Sequence, residues 1–192
     1  EVSPKDYPRA ERLTDYEVGY GFRSRSFTAG LNLYYMDYHD QLVLNGKQSD
    51  VGGKLSENVA SSHRMGTELN ASWKICTMLR WDLAGAVSQN QIKQYHLYAW
   101  SDQAGAEVLT TYDRTPIAYS PQLVLSNTLT FTHRAFEAAL TSQYVGMQYL
   151  DNTGSRERSL PAYHVASLRL GYELPVHFVR SWSISLQINN LF

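Results

Sequence analysis

The sequence predicts an all-β chain built of antiparallel, up-and-down transmembrane β-barrel strands, about eight of them. Three observations carry this. Segment after segment alternates apolar and polar residues with a period of two, which two-faced strands require and helices scramble. Every second connection is short and the others are long, the segregation that outer-membrane barrels show between their two rims. Aromatic residues bracket each short connection on the apolar phase, as at a membrane interface.

Composition bounds the alternatives. The chain has 192 residues, a formal net charge of -1 and 14 Tyr. Near-neutral charge argues against a nucleic-acid partner. No apolar run approaches the ~20 residues of a membrane helix. Barrel strands escape that criterion, because alternation averages out in a hydropathy window. The single cysteine, Cys76, has no intrachain partner, so disulfides do not hold the fold.

In chain order, residues 1–12 carry Pro4 and Pro8 and read as an extended lead-in. The first strand, about 13–23, sets Tyr16, Val18, Tyr20 and Phe22 against Asp15, Glu17, Gly19 and Gly21. A tight turn at 24–26 leads to a second strand, about 27–38, with Phe27, Ala29, Leu31, Leu33 and Tyr35 on one face. A long segment, 39–62, is expected to leave the sheet; it contains the turn formers Asn45-Gly46 and Gly52-Gly53. The clearest hairpin follows at 64–87. Met65, Thr67, Leu69, Ala71, Trp73 and Ile75 alternate with Arg64, Glu68, Asn70 and Lys74, then Leu79, Trp81, Leu83 and Val87 with Arg80, Asp82 and Ser88. A second long segment, 93–120, ends in prolines. Strands five and six pair Leu123, Leu125, Leu129, Phe131 with Phe136, Ala138, Leu140 around the turn 133–134, and Asn127 interrupts their apolar face. A third long segment, 149–161, precedes strand seven (Ala166, Leu168, Leu170, Tyr172), a short turn at about 174–180, and strand eight (Trp182, Ile184, Leu186, Ile188).

The apolar phase is assigned to lipid. Phe22, Phe27, Trp73, Trp81, Phe131, Phe136, Tyr172 and Trp182 flank the four short turns as one girdle, and Tyr35, Tyr38, Tyr119, Tyr144, Tyr149 and Tyr163 are expected to form the other. The opposite phase carries Arg64, Glu68, Lys74, Arg80, Asp82, Glu137, Arg169 and Glu173, which a wet lumen accommodates and a packed soluble core does not.

No catalytic signature, metal-ligand spacing or phosphate loop is present, so the chain is read as a non-enzyme without catalytic residues, metal or cofactor. The ligand-binding candidates are Tyr95, His96, Tyr98 and Trp100 in the longest outer segment, where aromatics could stack on a flat ligand and an imidazole could meet iron. Asp151-Asn152-Thr153-Gly154 reads as a turn and Arg156, Glu157, Arg158 as solvated.

Five stretches in order, ERLTDYEVGY (11–20), LNLYYMDYHDQLVLNG (31–46), SSHRMGTELNASWKI (61–75), YVGMQYLDNTG (144–154) and NNLF (189–192), resemble the C-terminal barrel of a TonB-dependent outer-membrane receptor, especially the kind common in Bacteroidetes. The resemblance implies that 1–192 is the last third of a twenty-two-stranded barrel, without the N-terminal plug, TonB box or closing strand. It implies a place in the cell outer membrane among its lipids. It also implies energising by TonB-ExbB-ExbD through the absent N-terminal part, and import of a small-molecule ligand such as a ferric siderophore or haem. The FRAP and NPNL motifs of haem receptors do not occur. Two other readings stay open: a complete eight-stranded barrel with an adhesive or enzymatic role, and a soluble β-sandwich binding carbohydrate through Trp100 and the tyrosines.

Overall fold

The computed structural model describes residues 8–48, 52–174 and 182–191. They form β1 (Arg12–Arg23), β2 (Phe27–Gln48), β3 (Lys54–Lys74), β4 (Leu79–Ser101), β5 (Ala106–Pro116), β6 (Leu123–His133), β7 (Phe136–Val145), β8 (Gln148–Tyr149), a single 3-10 turn at Arg156–Arg158, β9 (Ser159–Leu160), β10 (Tyr163–Leu174) and β11 (Trp182–Ile188). One antiparallel sheet runs in the order β1-β2-β3-β4-β6-β7-β10-β11, with β5 on β4 and a separate ribbon of β8 and β9. The eight expected strands are all there, in chain order, and a single sheet excludes the sandwich. The sheet does not close among the described residues: β1 pairs only with β2, and β11 only with β10.

Register shows why the two faces differ. Phe27, Trp73, Trp81, Leu129, Leu140, Leu168 and Ile188 stand opposite one another across β2, β3, β4, β6, β7, β10 and β11, an unbroken apolar row. One residue further along, Thr28, Ser72, Asp82, Thr128, Thr141 and Ser167 form an unbroken polar row. A slip of one residue would turn polar side chains to hydrocarbon in any strand, and on β3, β4, β7 and β10 it would turn charges there, so the register is strongly specified. The apolar side stays exposed, with Val18 at 70% and Leu69 at 41%, which is tolerable only where lipid covers it. Polar partners satisfy one another on the other side. Arg80 meets Asp82 at 2.7 Å, Thr128 and Thr141 share a hydroxyl hydrogen bond of 3.0 Å, and Arg169 bonds Glu137.

The turns at 24–26, 75–78 and 134–135 are short as expected; 175–181, holding most of the last one, lies outside the described residues. The girdle beside them holds, with Phe22 and Phe27 ring centroids 6.2 Å apart and Trp73 directly opposite Trp81. The second girdle is narrower than expected. Tyr35 and Tyr144 lie on the apolar phase, and Tyr16 joins them 6.5 Å from Tyr35. Tyr38 and Tyr163 lie on the polar phase, paired with Ser62 and Val145. Tyr119 and Tyr149 belong to the outer connections, where the Tyr119 amide donates to the Tyr149 carbonyl at 2.9 Å.

The largest departure concerns the long segments. Residues 39–48, 54–62 and 93–116 stay in the sheet: β2 runs on to 48, β3 begins at 54, and β4 and β5 turn only at 102–105, while 117–120 leave it as expected. The inward phase slips by one residue on three neighbouring strands at one height. It passes from Tyr38 to Gln41 and Val43 on β2, from Ser62 to Val59 on β3, and from Ile92 to Tyr95 on β4. Asp40 and Gln94, at the slip, take positive φ of 56° and 52°. A period of two read from the sequence therefore stops where the strands do not.

Candidate functional site

Beyond the slip the inward face turns apolar. Val43, Val59, Ile92, Tyr95 and Ile117 form a small buried core, with Leu97 and Tyr112 packed against it. Polar clips hold it in place. The Tyr95 hydroxyl donates to the Leu44 carbonyl at 2.9 Å, and the Ser62 hydroxyl to Gln41 Oε1 at 2.5 Å. Gly46 is required by the close passage of β2 over β4: its φ is +86°, and a Cβ there would sit 2.5 Å from the Tyr98 carbonyl oxygen.

The connection between β7 and β10 folds onto this core. Thr115 Oγ1 donates to the Asn152 carbonyl at 2.5 Å, and the Ala118 amide donates to Asn152 Oδ1 at 2.8 Å. Asp151 organises the turn as expected, accepting from the Thr153 amide (2.9 Å) and hydroxyl (2.5 Å) and from Arg158 (3.0 Å). Arg158 is thus ion-paired rather than merely solvated. Between this connection and the tips of β2 and β3 opens a cleft of about 370 Å³. Val43, Leu55, Leu97, Ile117 and Leu150 line it, and Lys47, Lys54, Asp151 and Arg158 stand among them. Nothing in the sequence pattern brought 41–47, 54–55 and 150–158 together; their meeting depends on the hairpins running on past the slip.

The four aromatic candidates do not converge on one point. Tyr95 is 1% exposed and faces inward, opposite Tyr112 with centroids 6.1 Å apart. Burial first, and then the charges of Asp151 and Glu57, push its phenol up to about 12. His96, Tyr98 and Trp100 alternate onto the other face of β4. His96 Nδ1 lies 3.6 Å from Glu57 Oε1, Lys47 Nζ sits 3.7 Å over the Tyr98 ring, and Trp100 is 68% exposed. Among the described residues no three His, Cys, Asp or Glu side chains group to hold a metal.

Burial alone would raise the Asp151 pKa, but the Thr153 hydrogen bonds and Arg158 outweigh it and hold the carboxyl below its ordinary range. A lowered folded-state pKa stabilises above the unfolded value of about 4, and that stabilisation is lost as pH falls through the lowered value. Hydrogen exchange at the Thr153 amide should therefore stay protected from pH 7 to 5 and lose protection below about pH 4. Loss already near pH 6 would refute Asp151 as the organiser.

A membrane-facing sheet that carries long hairpins on one rim, with a part-apolar, part-cationic cleft between their tips and the β7–β10 connection, defines the wall of a receptor-type outer barrel. The chain belongs to the TonB dependent receptor-like, beta-barrel family, whose model matches residues 5–191. Among solved structures it is similar to the ferric yersiniabactin uptake receptor FyuA from Yersinia pestis, at 18% identity and TM-score 0.65, covering 94% of this chain and 25% of that one. The copper transporter OprC gives 18% identity and TM-score 0.70 over 100% of this chain and 27% of that one. The FrpB iron transporter from Neisseria meningitidis gives 17%, 0.63, 97% and 28%. At such identities these likenesses show the fold, and the chain spans about a quarter of each of these structures. A search of curated sequences finds no match. The relatives are receptors and transporters, not enzymes.

Proposed function

We propose that the chain is part of the barrel wall and outer hairpins of a TonB-dependent importer in the bacterial outer membrane. The whole protein takes up a scarce nutrient such as a ferric siderophore, haem or a related iron complex, driven by TonB-ExbB-ExbD through its N-terminal part. The observation that carries this is the family match over 5–191 on a sheet whose long hairpins all rise from one rim. The names of FyuA and FrpB, an uptake receptor and an iron transporter, favour iron as the cargo. The unpaired edges of β1 and β11 favour a larger barrel, because strand edges cannot face hydrocarbon.

Within the segment, exposed Trp100 with half-buried Tyr98 and His96 offers the contact surface, and Tyr95 acts by holding the hairpin that presents them. The test is uptake of radio-iron from a ferric catecholate, a ferric hydroxamate and haemin by host cells with and without the gene, with an uncoupler as control. Uptake of at least one probe should fall to background on deletion and on uncoupling. Unchanged uptake of all three would overturn the iron reading.

A further inference from the structure

Four large apolar side chains stand exposed beyond the reach of membrane lipid. Leu44, Leu55, Tyr119 and Leu150 line the cleft between the β7–β10 connection and the tips of β2 and β3, with Leu55 40% and Tyr119 64% exposed. Leu44 lies about 30 Å of strand beyond Tyr35, which marks the outer interface. Apolar surface gathered in water at one concave place marks a binding site rather than a membrane contact.

Polarity changes along the cleft. Its floor is made by buried Val43, Tyr95 and Ile117, with Leu97 against them. Lys47 lies about 13 Å of strand from Val43, and Lys54 stands opposite Gln48, so both lysines belong to the far end. Neither has an acidic partner among the described residues. Lys47 Nζ lies 3.7 Å over the Tyr98 ring, which holds its stem without neutralising it. Asp151, the acid among the described lining residues, is already taken by Arg158 at 3.0 Å and by both Thr153 donors. The cleft therefore has one apolar end and one end with two uncompensated positive charges.

Its volume limits the guest. About 370 Å³ holds roughly a dozen non-hydrogen atoms at ~30 Å³ each. Haem and ferric siderophores are several times larger. We propose that the cleft binds a monocarboxylic acid with an aliphatic body of about eight to ten carbons, its carboxylate between Lys47 and Lys54 and its chain along Leu55, Leu97 and Ile117. Two ammonium groups select the anion over a neutral molecule of the same shape, and the chain covers apolar surface that otherwise faces water. The site goes beyond the import reading, because an iron complex does not fit it.

The test uses the full-length receptor in lipid nanodiscs, with octanoate, octanamide and acetate as probes and hydrogen exchange over 150–158 as the readout. Octanoate should slow that exchange saturably, by about tenfold at ten times its half-saturating concentration. Octanamide lacks the charge and acetate the chain, so neither should do so at that concentration. Lys47→Gln with Lys54→Gln should abolish the octanoate effect, and Lys47→Arg with Lys54→Arg should keep it. No effect of octanoate on the parent, as when another hairpin of the receptor fills the cleft, would overturn the proposal. So would an equal effect of octanamide, or equal slowing over 64–87, which would mark uptake by the bilayer. Heat-modifiable mobility verifies that each variant is folded. Radio-iron uptake tests the cargo separately, and either reading can fail alone.

Discussion

Leu69→Arg is expected to destabilise the inserted barrel by roughly 2 to 4 kcal/mol, while its neighbour Asn70→Arg should change stability by less than about 0.5 kcal/mol. Leu69 stands between Leu31 and Gly85, midway between the turn-side row of Phe27, Trp73 and Trp81 and the outer row of Tyr35 and Met65. An arginine there has no headgroup within easy reach. Asn70 faces the other way, in the Gly30 and Ala84 row, where its amide lies over Gly30 and a guanidinium can reach water and Glu68 or Asp82 on the same side. Refolding of the full-length protein into lipid vesicles against urea measures both. Equal losses would show that the faces are assigned wrongly, whatever the strand boundaries.

Tyr95→Ala should loosen the outer hairpin by about 3 to 5 kcal/mol, the usual range for emptying a buried aromatic site. Tyr95→Phe should cost about 1 kcal/mol, the worth of the hydrogen bond to Leu44. Tyr95 is one of the few side chains buried completely, and it joins Val43 on β2 to Ile117 beyond β5. The loss should therefore appear as local opening, since the membrane-spanning rows contain none of these residues. Hydrogen exchange over 92–117 should quicken in Tyr95→Ala and stay unchanged over 64–87. Unchanged exchange over 92–117 would mean that the hairpin is held by its ladder alone.

Both expectations separate what was legible in the sequence from what was not. The spanning strands were legible because a sheet with lipid on one side and water on the other imposes a local rule on every residue, and 64–75 or 166–173 state that rule without reference to any partner. The short turns and their aromatic girdle followed from the same rule. The grouping of Tyr95, His96, Tyr98 and Trp100 as one surface was not safe, because four residues of one strand divide between two faces. Tyr95 takes one and His96, Tyr98 and Trp100 the other. The tyrosines near the outer rim divided likewise, with Tyr35 on lipid and Tyr38 inside.

By itself, then, the sequence determined the strand order, the lipid face and the rim that carries the long connections. The tertiary structure alone decided that those connections are continued β-hairpins, that a core closes beneath them, and that 150–158 docks beside 41–47 to make a cleft. The physical reason lies at Asp40 and Gln94. Positive φ at these two residues accompanies the one-residue shift of the inward phase on β2 and β4, and β3 between them makes the same slip, from Ser62 to Val59, at the same height without a positive-φ residue. That agreement is a property of three strands paired together, and no single strand's pattern contains it.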